Sequence, residues 1–324
     1  MKLSECNFIL HLGAHRTGTT SIQYALDQNS HSLLQEGIVC LTPPRMGKRN
    51  ETTIRRIAGA LPKLGRRFSY VLPWVLAIRQ KSVLEELMIE QSQGKPFSSV
   101  IVSEENFMGD AFAMVGKSDL LYPDLANRLR GLKRVFGSSI SRLHICIRSY
   151  ETFLPSYYAK VAMYGKGRDF ESIKARWMRF EGGWPSVIQR IAEHLPDARL
   201  RVTTFESATP EETFWEIIGS QRLRERLSWS AEALNQAPTC EAIQAALRLK
   251  GTTNFDPDEI IHLSRDGKRF DPLSREEKLL LSDRYASDLE ALCRWGLVER
   301  LKGPPSQRAS LRERLQRALS ARSF

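Results

Sequence analysis

The chain has 324 residues, of which 42% are hydrophobic and 26% are charged, so it is long enough to bury a full core. The formal net charge of +11 favours anionic ligands, such as nucleic acid, membrane surfaces, nucleotide phosphates or acidic glycans. The longest apolar stretch, residues 68–78, contains a proline and is too short to span a bilayer. Five scattered cysteines without a C-x-x-C pair give no zinc-site pattern and predict reduced thiols in a cytoplasmic protein.

Short apolar runs alternate with helical patterns along the first two thirds of the chain. Met1 leads almost directly into the first predicted strand at Phe8, without a charged-then-apolar signal segment. Further strands are predicted at residues 37–41, 99–103, 141–148 and 198–206. Strands separated by helices predict an α/β fold of three layers, with a central parallel sheet of about five strands and helices on both faces.

Helical patterns fill the connections and the remainder of the chain. Residues 20–34 predict one helix, and residues 45–98 predict a helical insertion whose first part is strongly basic. After residue 207 only helix and loop are predicted, and Ser274 with Glu277 has the pattern of a capping box. We predict one domain over residues 1–301. Residues 302–324 predict a basic amphipathic tail that docks on the domain, on a partner or on an anionic membrane surface.

The stretch "HLGAHRTGTTS" has the spacing of a phosphate-binding loop. Gly13 and Gly18 are spaced as in G-x-x-x-x-G-K-[ST], and the stretch follows a predicted strand and opens a predicted helix. Main-chain N–H groups and the helix dipole would therefore face an anion, with Thr19, Thr20 and Ser21 adding hydroxyl donors. Thr19 occupies the place of the lysine that contacts the terminal phosphates of ATP or GTP, which argues against nucleotide hydrolysis.

The loop and a later segment resemble the P-loop sulfotransferases that use 3′-phosphoadenosine 5′-phosphosulfate (PAPS), in the bacterial and carbohydrate-type branch. "HRTGTT" resembles their P-K-S-G-T-T loop, with Arg16 at the family lysine and Thr17 at the family serine. Gly18, Thr19 and Thr20 match outright, Ser21 follows, and His15, which replaces proline, is predicted to be packed or solvated without a role. The resemblance implies that this loop binds the 5′-phosphosulfate and that PAPS is the co-substrate, with no metal.

The segment "IRSYETFLPSYY" resembles the 3′-phosphate motif of the same family. Arg148 ends the fourth predicted strand and Ser156 follows eight residues later, which is the family spacing. A planar guanidinium at the end of a strand suits bidentate binding of a phosphate. A late segment around Lys268 and Arg269 resembles a further phosphate-contacting loop, although a solvated turn explains these two residues equally well.

Sulfuryl transfer should resemble phosphoryl transfer, with a loose transition state and charge developing on the bridging oxygen. Arg16 would stabilise this charge. The acceptor hydroxyl benefits from a general base, for which the resemblance implies Glu105 as the first candidate, Glu104 as the second and Glu36 as the third. The resemblance implies a carbohydrate or glycolipid acceptor.

Two alternatives to a sulfotransferase remain open. One is a P-loop kinase or NTPase, which would need a lysine at Thr19 and an acidic magnesium ligand. The other is a non-catalytic protein of the same fold that binds a nucleotide or another anion. Nucleic acid is the less favoured partner, because the basic clusters lack interleaved aromatic residues.

Overall fold

A computed structural model describes residues 5–43, 72–109, 118–163, 170–230, 238–249 and 270–295. Its centre is a five-stranded parallel sheet in the order β2-β3-β1-β4-β5. The strands are β1 (Asn7–His11), β2 (Ile38–Leu41), β3 (Ser99–Ser103), β4 (Ile140–Ile147) and β5 (Arg199–Thr204). The predicted α/β class and the predicted strand positions are confirmed.

Helices surround this sheet. In chain order they are α1 (Thr19–Gln28), α2 (Ser30–Gln35), α3 (Leu72–Ser92), α4 (Leu125–Phe136), α5 (Tyr150–Ala162), α6 (Phe170–Arg179), α7 (Gly183–His194), α8 (Pro210–Ile218), α9 (Gln221–Arg224), α10 (Cys240–Leu249) and α11 (Arg275–Arg294). No helix in the described part of the chain is long and apolar enough to cross a membrane.

Strand side chains alternate between two cores, one on each face of the sheet. Phe8 and Leu10 of β1 join the larger core, together with residues of α3, α4, α5 and α7. Ile9 of the same strand and Ile101 of β3 face the smaller core beneath α1 and α8. Both faces are therefore covered, as the continuous apolar strand sequences predict.

The loop after β1 begins at the centre of the sheet. The ladder between β1 and β4 continues beyond the strand, since the Leu12 N–H donates to the His144 carbonyl and the Ala14 N–H to the Cys146 carbonyl, both at 2.9 Å. The Cys146 N–H donates to the Gly13 carbonyl at 2.6 Å. The start of the loop is consequently fixed by main-chain hydrogen bonds rather than by its side chains.

The prediction of one helix over residues 20–34 is wrong, because the chain breaks at Asn29 into α1 and α2. The Asn29 amide donates to the Ala25 carbonyl at 2.8 Å and to the Ser228 carbonyl at 2.7 Å. Its side-chain oxygen accepts from the Ser228 N–H at 3.0 Å. The side chain thus competes for a helix carbonyl and joins a segment that lies far along the chain.

The predicted insertion at residues 45–98 is described only from residue 72 onward. There α3 packs on β2 and α4, so it is an ordinary crossover helix between two parallel neighbours, and its buried side chains include Leu84, Leu87 and Met88. The basic cluster at residues 45–67 and the tail at 302–324 lie outside the described residues. The capping box at Ser274 and Glu277 is confirmed at the start of α11.

Candidate active site

The loop between β1 and α1 presents main-chain N–H groups in a strained conformation. Gly13, Arg16 and Gly18 have φ angles of +85°, +63° and +81°. Among the described residues, the N–H groups of Arg16, Thr17 and Gly18 have no acceptor. Three successive donors beside the N-terminus of α1 form a concave site of the kind that binds anions.

Two glycines of the loop are required by close neighbours. A Cβ atom at Gly18 would lie 2.7 Å from Cγ of Pro210, the first residue of α8. At Gly13 a Cβ atom would lie 3.3 Å from both Cβ of Glu105 and Oγ1 of Thr19. Gly18 therefore allows α8 to lie against the loop, and Gly13 allows Glu105 to do so.

The hydroxyl groups of Thr17 and Thr19 stabilise the loop internally. Both donate to the carbonyl of Ala14, at 2.7 Å and 3.2 Å respectively. Both residues are buried, whereas Arg16, Gly18 and Thr20 are partly exposed. In this structure Thr17 and Thr19 thus offer an anion their main chain rather than their hydroxyl hydrogens, and the buried Ser21 lies in the first turn of α1.

Arg16 joins the loop to α5. Its Nε donates to Oγ of Ser156 at 2.9 Å. Burial lowers the pKa of Arg16, and the nearby Glu105 carboxylate opposes that shift. A guanidinium remains charged under such conditions, so Arg16 places a partly buried positive charge between the loop and α5.

Arg148 follows β4 directly and contacts the same loop. Its Nη1 donates to the Arg16 carbonyl at 2.7 Å and its Nε to Oγ1 of Thr152 at 3.0 Å. The guanidinium lies 4.6 Å from the centroid of the Phe205 ring. The structure therefore brings Arg16, Arg148 and Ser156 together, although they are far apart in the sequence.

The main chain around Arg148 is held on both sides. Nε1 of Trp184 donates to the Arg148 carbonyl at 2.8 Å, and the Ser149 N–H donates to Oε1 of Glu206 at 2.8 Å. The other oxygen of Glu206 accepts from the Tyr285 hydroxyl of α11 at 2.9 Å, and burial raises the pKa of Glu206. No local sequence pattern indicates these supporting residues, because each acts on a segment that is distant in the chain.

The two adjacent carboxylates after β3 have different surroundings. Glu104 is buried, and its Oε1 accepts from the N–H of Asn106 at 2.9 Å and from its amide at 2.5 Å, which caps the short 3₁₀ turn Glu105–Phe107. Glu105 is only half-buried and lies beside Gly13, close enough to Arg16 to affect its pKa. Of the two, Glu105 has the position that a group acting at the loop requires.

Glu36 lies at the other end of the sheet. It precedes β2, which runs parallel to β1, so it sits at the amino edge while the loop leaves the carboxyl edge. There it pairs with Arg226. Its prediction as an alternative base is therefore wrong.

Two further predictions concern phosphate and metal binding. Lys268 and Arg269 lie outside the described residues. In the described ranges, no group of three or more His, Cys, Asp or Glu side chains is arranged to hold a metal ion.

His15 is packed, as predicted. It is buried, its ring stacks on Tyr122 with centroids 5.8 Å apart, and it meets Tyr157 edge-on at 5.7 Å. Tyr157 directly follows Ser156, so this aromatic contact also links the loop to α5.

Comparison with known proteins leaves the geometry as the basis for assigning a function. No family model, curated protein or solved structure matches the chain.

Proposed function

We propose that the chain is a sulfotransferase that moves a sulfuryl group from PAPS to a hydroxyl acceptor. One observation carries the proposal: the two segments that resemble the phosphate-binding motifs of this family meet in the folded chain. Arg16 binds Ser156, and Arg148 binds the Arg16 carbonyl. Because β1 and β4 are parallel neighbours, both segments leave the sheet side by side at its carboxyl edge, where α/β proteins bind their ligands.

The donor nucleotide would extend between these motifs. The N–H groups of residues 16–18 and the N-terminus of α1 would bind the 5′-phosphosulfate. Arg148 and Ser156 would bind the 3′-phosphate. Arg148 has five N–H donors, and the hydrogen bonds of its Nε and Nη1 with the protein fix the plane of its guanidinium.

In the proposed reaction, the acceptor oxygen forms a bond to sulfur as the bond between sulfur and the bridging phosphate oxygen breaks. The products are the sulfated acceptor and 3′-phosphoadenosine 5′-phosphate. Arg16 stabilises the negative charge that develops on the bridging oxygen. Arginine does not donate a proton at neutral pH, but a phosphate leaves as an anion and needs none.

Glu105 is the proposed general base and accepts the proton of the acceptor hydroxyl. Its half-buried position beside Gly13 favours this role, whereas Glu104 caps a turn. A carbohydrate or glycolipid acceptor remains an expectation from the family resemblance. Contact of the tail with a membrane surface also remains a prediction.

The decisive experiment is calorimetric titration with 3′-phosphoadenosine 5′-phosphate, AMP and ATP, without magnesium. We expect tight binding of the first nucleotide and much weaker binding of the other two, which lack a 3′-phosphate. Arg148→Ala should weaken binding of the first nucleotide by about tenfold or more, because a hydrogen bond to a charged group contributes about 1.5–3 kcal/mol.

Arg226→Ala is the matched control, because it removes an arginine from the opposite edge of the sheet. It should leave nucleotide affinity unchanged. A preference of the parent protein for ATP would favour the kinase alternative. Absence of nucleotide binding would contradict a sulfotransferase.

A further inference from the structure

We propose that Tyr122 is a positioning residue of the anion-binding loop, and that it acts by holding the main chain of His15. The role assigned to the loop rests on the proposed function. The hydrogen bonds that define the interaction do not, so it can be tested separately.

The Tyr122 hydroxyl contacts His15 twice. The His15 N–H donates to it at 3.2 Å, and the hydroxyl lies 3.2 Å from Nδ1 of the same residue. The phenolic oxygen accepts the first bond, so its own hydrogen is available to donate to Nδ1, and this second bond would require the Nε2–H tautomer of His15. Tyr122 thereby fixes the residue that immediately precedes the N–H groups of residues 16–18.

Tyr122 is itself held in an unfavourable conformation. It is fully buried and has a φ angle of +51°, which is an outlier for a bulky residue. Such a conformation persists only where the surrounding structure imposes it. Packing in the core alone would not require this strained conformation or a hydroxyl group in contact with the main chain of the loop.

Arg190 of α7 holds the backbone at this position. Its Nη1 donates to the Tyr122 carbonyl at 3.0 Å and its Nη2 to the Leu121 carbonyl at 2.8 Å. A planar fork bridging two successive carbonyls fixes their relative orientation. The chain of contacts therefore runs from α7 through Arg190 and Tyr122 to His15 and the loop.

This arrangement gives His15 a function in place of the proline of the family motif. Proline restricts the backbone at this position through its ring and has no N–H. In this chain the N–H is present and bonded to Tyr122, and the imidazole packs between Tyr122 and Tyr157. In this chain the Tyr122 side chain, which comes from another segment, supplies the backbone restraint that a proline ring would impose.

The test compares Tyr122→Phe with Ser92→Ala. Ser92 is also buried, but its hydroxyl donates to the Ile89 carbonyl at 2.7 Å, at the end of α3 that precedes the amino end of β3. Each variant loses one buried hydroxyl, and cooperative thermal unfolding of each would establish that it folds. Binding is then measured for 3′-phosphoadenosine 5′-phosphate and for adenosine 3′-phosphate, which lacks the group that the loop would bind.

Tyr122→Phe should raise the Kd of 3′-phosphoadenosine 5′-phosphate about three- to tenfold, the range for one neutral hydrogen bond. The Kd of adenosine 3′-phosphate should not change, and Ser92→Ala should change neither value. Equal weakening of both ligands by Tyr122→Phe, or weakening of neither, would overturn the positioning role. Arg190→Lys keeps the charge but loses the fork, so it should shift the affinities in the same direction.

A second measurement does not depend on nucleotide binding. Nitrogen-15 NMR should show the Nε2–H tautomer of His15 in the parent protein and a mixture of tautomers in Tyr122→Phe. The His15 amide should exchange with solvent at least about tenfold faster in the variant. If the His15 tautomer and amide exchange rate are the same in Tyr122→Phe as in the parent protein, the proposal is contradicted. If the parent protein binds neither nucleotide, the proposed function fails, while these NMR results still decide the role of Tyr122.

Discussion

The two edges of the sheet place arginine and glutamate side chains in different environments. At the carboxyl edge, Arg148 is only 8% exposed, and both Arg16 and Glu105 are partly buried beside the loop. At the amino edge, Arg226 pairs with Glu36, and its side chain is 56% exposed. Because water screens exposed charges, Arg148 and Arg16 act more strongly on a ligand than the exposed Arg226 does. Burial and hydrogen bonding, rather than residue type, therefore distinguish the candidate site.

The largest expected effect of this difference is on the rate of sulfuryl transfer. Glu105→Gln removes the proposed base and should lower kcat by about 100- to 10,000-fold, the usual contribution of general acid–base catalysis. Transfer of labelled sulfate to a panel of glycan acceptors measures this rate. Nucleotide affinity should be retained. If Glu105→Gln transfers sulfate as fast as the parent protein, Glu105 is not the base.

Arg16→Ala should have the next largest effect, lowering kcat by about 100- to 1,000-fold, as the loss of one charge-stabilising donor does. Arg16→Lys is the matched variant, because it restores the lysine of the family motif and keeps the positive charge. We expect Arg16→Lys to stay within about tenfold of the parent protein. Equal activity of the alanine and lysine variants would show that charge at this position is unimportant.

Buried histidines beneath the loop predict a pH effect on stability. His11 and His144 lie on adjacent strands, are at most 2% exposed and have ring centroids 5.7 Å apart. Burial lowers the pKa of His11 to about 3. Burial also lowers the pKa of His144, with further lowering from His11, Arg201 and Arg142. The unfolded chain therefore binds these protons near pH 6.5, but the folded chain binds them only at much lower pH.

Stability should consequently fall as the pH is lowered below about 6.5, by about 1.4 kcal/mol per pH unit for each histidine that stays unprotonated in the folded chain, and the contribution of His11 continues to about pH 3. Urea unfolding at pH 7.5 and pH 5.5 measures the change. His144→Gln should reduce this pH dependence, because it removes one of the two buried groups that the unfolded chain protonates first. If the free energy of unfolding of His144→Gln changes with pH as steeply as that of the parent protein, this account is contradicted.

The smallest effect is expected at the amino edge. Glu36→Gln removes one partner of an exposed ion pair, which contributes about 0.2–1 kcal/mol to stability. The rate of sulfate transfer should not change. A large loss of sulfate transfer in Glu36→Gln would show that the amino edge contributes to the reaction, contrary to the comparison of the two edges.

The positions of the strands were predictable because buried parallel strands are short, continuous apolar sequences. The break at Asn29 was not, since it depends on Ser228, a residue 199 positions away. The loop and Arg148 could be located by their positions at the ends of strands. Trp184, Glu206 and Tyr122 could not be predicted, because nothing in their local sequence indicates which main-chain groups they contact. Local sequence patterns thus located the candidate ligand contacts. The residues that support those contacts could be identified only from the folded structure.

The central place of β1 has a consequence for how the loop responds to local unfolding. β1 has a parallel neighbour on each side, and its main-chain hydrogen bonds with β4 continue to Ala14. By contrast, β2 and β5 are the outermost strands of the sheet and each has one neighbouring strand within it. Local unfolding begins at outer strands and chain termini, so the amides of β1 should exchange with deuterium only when the whole sheet opens. The anchor of the loop would then persist through partial openings of the fold and be lost only in global unfolding.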